Sequence, residues 1–116
     1  MKYFDHSEFD CPTKKGTGKL MEKNFLDMID NAREIAGIPF YINSGYRTPE
    51  HNRAIGGSEN SSHMKFCASD IHCGNGSDRL KIVHALIKAG FRRIGIANTF
   101  IHADTDNSKP HSIWLY

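Results

Sequence analysis

Ser61-Ser62-His63-Met64-Lys65-Phe66-Cys67-Ala68-Ser69-Asp70-Ile71 runs from a polar loop into an apolar stretch suited to a strand, and it carries a histidine and an aspartate seven positions apart. That spacing is too long for one turn of helix and too short for two separate elements. A loop entering a strand can still bring an imidazole nitrogen and a carboxylate oxygen to one point. Borderline-soft Zn²⁺ takes both donor types, and a catalytic zinc site uses three protein ligands and one open position. The best third donor is His102, in the apolar run Thr99-Phe100-Ile101-His102-Ala103-Asp104.

Upstream of this stretch, residues 1–19 are polar and broken by Pro12, Gly16 and Gly18, and read as a loop-like arm packed by Phe4 and Phe9. From Leu20 the apolar residues Leu20, Met21, Phe25, Met28, Ile29, Ala32, Ile35 and Ala36 recur every three or four positions. This predicts an amphipathic helix ended by Gly37 and Pro39. Pro39 to Ser44 reads as a short strand, and Thr48 as the N-cap of a short helix opening at Pro49. Gly56 to Ser62 reads as a flexible loop and Cys67 to His72 as a buried strand.

Downstream, Gly74-Asn75-Gly76 turns the chain. Ser77 is the expected cap of a helix with an apolar stripe of Leu80, Ile82, Val83, Leu86 and Ile87, stopped by Gly90. Arg93 to Ala97, Thr99 to Asp104 and Ser112 to Tyr116 read as three more strands. Strands mixed with separated helices and short links imply an α+β fold, a small and mostly antiparallel sheet with two main helices packed on it. No linker, repeat or low-complexity tract divides residues 1–116, so one domain is expected.

With 116 residues, 39% hydrophobic and 24% charged, the chain has an ordinary globular composition and can bury a core unaided. A net charge of +2, with scattered basic residues, argues against a nucleic-acid partner. No apolar run approaches the ~20 residues of a membrane span. An acidic residue precedes any apolar core at the N-terminus, so no signal peptide is read there. Cys11, Cys67 and Cys73 lack CxxC spacing and are expected to be unpaired thiols, consistent with synthesis in a reducing cytosol.

Three motifs together resemble a known family. Ser61-x-His63 followed by Ala68-x-Asp70 is similar to the SxHxxGxAxD signature of the zinc D-Ala-D-Ala carboxypeptidases and their relatives. Those relatives include L-alanyl-D-glutamate endopeptidases, many phage endolysins and the D-Ala-D-Ala dipeptidases. Ser44-Gly45-Tyr46-Arg47 resembles the family's SGYR segment, and Phe100-Ile101-His102-Ala103-Asp104 its FxHxD strand. The motifs keep the family's order across residues 40 to 104.

The resemblance implies a hedgehog/D-Ala-D-Ala metallopeptidase-like fold and one Zn²⁺ per chain, held by His63, Asp70 and His102. It implies an amide bond in a peptidoglycan stem peptide as the target, with Arg47 gripping a substrate carboxylate. Ser61 is expected either to orient substrate or to cap its loop. The rival expectation is a non-catalytic cell-wall-binding or virion-associated module of the same fold. A monomer is expected, reaching the cell wall by phage-type release or another export route.

Two positions depart from the family pattern. Phe66 stands where the signature has glycine, a residue that would allow an unusual backbone angle. Thr99 and Phe100 occupy the positions that carry a general base in family branches, and neither takes a proton. Asp104, two residues after His102 and on the same strand face, is therefore the expected base. Trp114 is expected to pack in the core or at an edge, and His72 to make an ordinary polar contact.

Overall fold

The computed structural model describes residues 1–116. Its α+β architecture is a five-stranded sheet in the order β1-β2-β4-β3-β5, formed by β1 (Ile42–Ser44), β2 (Ala68–His72), β3 (Arg93–Ile96), β4 (Phe100–Asp104) and β5 (Ser112–Leu115). Three of its four strand pairings are antiparallel. The fourth is parallel: the chain leaves β4 through residues 105–111 and returns beside β3 as β5.

Side chains alternate across the sheet, so register decides what meets what. Ser44, Asp70, His102, Gly95 and Trp114 are successive cross-strand partners and form one row. On the opposite face Ile71, Ile101, Ala103 and Ile94 enter the core, where they meet helices α1 (Lys23–Ala36) and α3 (Gly76–Lys88). A file of edge-to-face aromatic pairs, Phe4–Phe9, Phe9–Phe25 and Phe25–Phe91, ties the N-terminal arm to that core at centroid spacings of 5.4, 6.3 and 5.8 Å. No helix is long and apolar enough to cross a membrane.

The first helix starts later than its periodicity implies. Asp10 accepts from Gly18 N at 2.7 Å and Gly16 N at 3.0 Å, which holds Thr17–Leu20 in a 3₁₀ turn and leaves Leu20 58% exposed. The apolar stripe of α1 is Phe25, Leu26, Ile29 and Ala32. Asn75, not Ser77, caps α3: its Oδ1 accepts from Asp78 N at 2.8 Å. Leu80 and Ile87, expected in the stripe of α3, face outward, and Ile82, Ala85 and Leu86 are buried. The short helix α2 (Pro49–Ala54) opens as read, with Thr48 Oγ1 accepting from His51 N at 3.1 Å. All three cysteines are free and buried, and burial pushes the Cys67 thiol up to about 12.

Candidate metal centre

His63 lies in a 3₁₀ turn, Ser62–Lys65, that delivers the chain into β2. Ser61 caps the turn, its Oγ accepting from His63 N at 3.2 Å. The turn ends at Phe66, the one non-glycine residue with positive φ, at +63°. The left-handed backbone that the signature's glycine would favour is thus kept without glycine. The Phe66 ring stacks on Tyr46 at 4.4 Å and 13°, a contact that offsets the strain.

The tautomer of each histidine follows from its partner. His63 Nδ1 donates to Gly45 O at 2.8 Å, which leaves the Nε2 lone pair facing Asp70 Oδ1 at 3.3 Å. His102 Nε2 donates to Asp104 Oδ2 at 2.7 Å, which leaves Nδ1 facing the same Asp70 oxygen at 2.9 Å. Two imidazole lone pairs and a carboxylate therefore converge, and all three donor atoms lie within 4.8 Å of one another. Acceptors aimed at one another call for a cation between them.

Donors about 2.0–2.1 Å from a tetrahedral Zn²⁺ stand roughly 3.3 Å from one another. The two separations to Asp70 Oδ1, 2.9 and 3.3 Å, are close to that spacing, and the two imidazole nitrogens lie within 4.8 Å of each other. A proton can serve these contacts as a metal ion can. Burial would raise the Asp70 pKa, but with the imidazoles protonated their hydrogen bonds and charge, from His102 and His63, outweigh it and hold the carboxyl far below its usual range. Burial pulls His102 down, but the hydrogen bonds of Asp104 and Asp70 overcome it and raise its pKa. This pocket favours positive charge.

The donors line an open cleft of about 300 Å³ that also contains Arg47, Ser61, Trp114 and Tyr116. Arg47 takes part in none of the chain's ion pairs. Its backbone N–H bonds His63 O at 3.0 Å, so clamp and metal ligand share one scaffold.

Asp104 shares the sheet face with His102, as strand alternation requires, but stands at the ring nitrogen turned away from Asp70 and His63. It is 1% exposed, and its other oxygen accepts from Arg93 Nε at 2.8 Å and Asp106 N at 3.0 Å. Burial raises its pKa, while His102, the Asp106 amide and Arg93 lower it further than burial raises it. This geometry orients His102, and it does not favour the expected role of general base. His72 is exposed and has no hydrogen bond to the cluster.

Sequence reading missed three parts of the site. Trp114 lines the cleft, half-buried, with its ring 5.5 Å from that of His102. It can lie there because its partner in β3 is Gly95: a Cβ at Gly95 would meet Trp114 Cε2 and Nε1 at 2.7 Å. Arg93 stacks on the indole at 4.8 Å while holding Asp104. Asp106 accepts from Ser62 Oγ at 2.7 Å and Lys65 Nζ at 3.1 Å, pinning the turn that carries His63. An apolar–aromatic run at Ile113–Tyr116 was the only sequence signal for any of these.

A sheet that brings two imidazoles and a carboxylate together in an open cleft, beside an unpaired guanidinium, defines a candidate metal-dependent hydrolase. The family model described as Peptidase M15 matches residues 2–104, and the chain belongs to that family. No curated protein matches the chain.

Proposed function

We propose that the chain is a zinc-dependent peptidase that hydrolyses an amide bond in peptidoglycan stem peptides. The observation that carries this reading is the convergence of His63 Nε2, Asp70 Oδ1 and His102 Nδ1 in an open cleft. These three residues would hold one Zn²⁺ per chain. Zinc held there would supply an acidified water as nucleophile near neutral pH and polarisation of the scissile carbonyl.

The remaining work falls to the chain's own groups. Asp104 fixes the tautomer and ring angle of His102, an arrangement typical of metal-binding histidines. Arg47 offers a planar fork to a substrate carboxylate and sets the register of the peptide. Ser61 Oγ accepts from His63 N, so its own O–H remains free to donate into the cleft. A non-catalytic wall-binding or virion-associated module with a structural zinc would close the site with a fourth protein ligand, whereas three donors in an open cleft leave a position free, so the rival reading is the weaker one.

The test is incubation with purified peptidoglycan, with and without a chelator. The expected result is chelator-sensitive appearance of new amino groups. Free D-alanine among the products would mark a carboxypeptidase, and larger amino-terminated fragments an endopeptidase. No release under either condition would contradict the reading.

A further inference from the structure

Arg47 does not hold its own position in the cleft. Its Nη1 donates to Asn52 Oδ1 at 2.9 Å and its Nη2 to Ser44 Oγ at 3.4 Å, while Nε is buried without a partner. Asn52 is 3% exposed and lies on α2. Its Nδ2 donates to Ser58 O at 2.8 Å, and its backbone carbonyl accepts from Gly57 N at 2.8 Å. The carboxamide is therefore fixed in one sense, with nitrogen toward a carbonyl and oxygen toward the guanidinium.

Gly57 completes the arrangement. A Cβ there would stand 2.1 Å from Asn52 Oδ1 and 2.9 Å from Arg47 Nη1. Gly57 is not among the positive-φ residues, so what this position requires is space. The chemistry of the partner matters equally. An amide oxygen orients the guanidinium but leaves its charge uncompensated, whereas a carboxylate in the same place would cancel it.

We propose that Asn52 is the positioning residue that aims Arg47 into the cleft, with Gly57 leaving the room for it, and that this pair makes the cleft selective for substrates bearing a free carboxylate. The inference rests on the reading above that Arg47 grips such a group. Asn52 touches no substrate in this scheme and acts through Arg47.

The experiment compares a stem peptide with free carboxylates against the same peptide with its carboxylates amidated. Wild type, Arg47→Lys, Asn52→Asp and Gly57→Ala are each assayed for kcat, KM, zinc content and melting temperature. Asn52→Asp is expected to raise KM for the acid peptide roughly ten- to hundredfold, the scale of one charged hydrogen-bonded contact, with kcat and zinc little changed. The amidated peptide should be nearly indifferent to the substitution. Gly57→Ala should shift KM the same way, which keeps the test decisive should Asn52→Asp fold poorly.

If Arg47→Lys treats both peptides as wild type does, the carboxylate clamp is wrong and the inference falls with it. If Arg47→Lys loses the preference for the acid peptide while Asn52→Asp and Gly57→Ala keep it, the clamp stands and the role given to Asn52 is overturned.

Discussion

His102 Nε2 and Asp104 Oδ2 stand 2.7 Å apart, a carboxylate behind the imidazole whose other nitrogen faces Asp70 and His63. This contact decides between two roles for Asp104. A residue that orients a metal ligand typically tunes metal affinity by about 10–100-fold. A general base typically contributes about 10²–10⁴-fold to rate without holding the metal. Asp104→Asn is therefore expected to weaken zinc binding by about 10–100-fold in a competition titration. Normal zinc affinity combined with a large loss of rate would restore Asp104 as the base.

Arg47→Lys should retain zinc and fold but lose turnover on carboxylate-bearing substrates. An ammonium cannot reproduce the planar fork. A hydrogen bond to a charged group is worth about 1.5–3 kcal/mol, so roughly a ten- to hundredfold loss in kcat/KM is expected. Unchanged kinetics would remove Arg47 from substrate binding.

Phe66 offers a test on stability. Substituting either Gly or Ala removes the stack on Tyr46, but only Ala retains the cost of φ +63°. Phe66→Gly should therefore be more stable than Phe66→Ala by about 1 kcal/mol, the reverse of the usual order. Chemical denaturation of the two variants measures the difference. Ala equal to or above Gly would mean that the turn relaxes out of the left-handed region.

Asp106 predicts part of the pH dependence. Burial would raise its pKa, but hydrogen bonds from Ser108, Ser62 and Lys65 outweigh it and hold the carboxyl well below its usual value. A depressed folded pKa contributes stability that is present above the unfolded value of about 3.9 and is lost as pH falls through the folded one. Asp106→Asn should cost about 1–3 kcal/mol at neutral pH. The gap to wild type should narrow as pH falls below about 4. A gap that stays constant into acid would show that the charge of Asp106 does not matter.

The legible part of the site was the part governed by local rules. His63 precedes a strand by one turn, Asp70 lies on that strand, and His102 is its cross-strand partner on β4. Alternation also placed Asp104 on the correct face. It could not show which edge of the His102 ring Asp104 meets, because Arg93, from a third strand, holds the carboxylate there. Trp114 was illegible for a similar reason. Its place beside His102 depends on the parallel register of β5 against Gly95, which the path of residues 105–111 creates. At the helix ends, Leu20 and Ser77 were misread because Asp10 and Asn75 supplied competing hydrogen bonds.

The central claim is that His63, Asp70 and His102 hold one zinc ion. Elemental analysis of protein purified without added metal tests it most directly, on the wild type and on the variants His63→Ala and His102→Ala. Close to one equivalent of zinc is expected in the wild type, with most of it lost in each variant. Full zinc retention by either variant, or a wild type that binds none when zinc is supplied, would contradict the account.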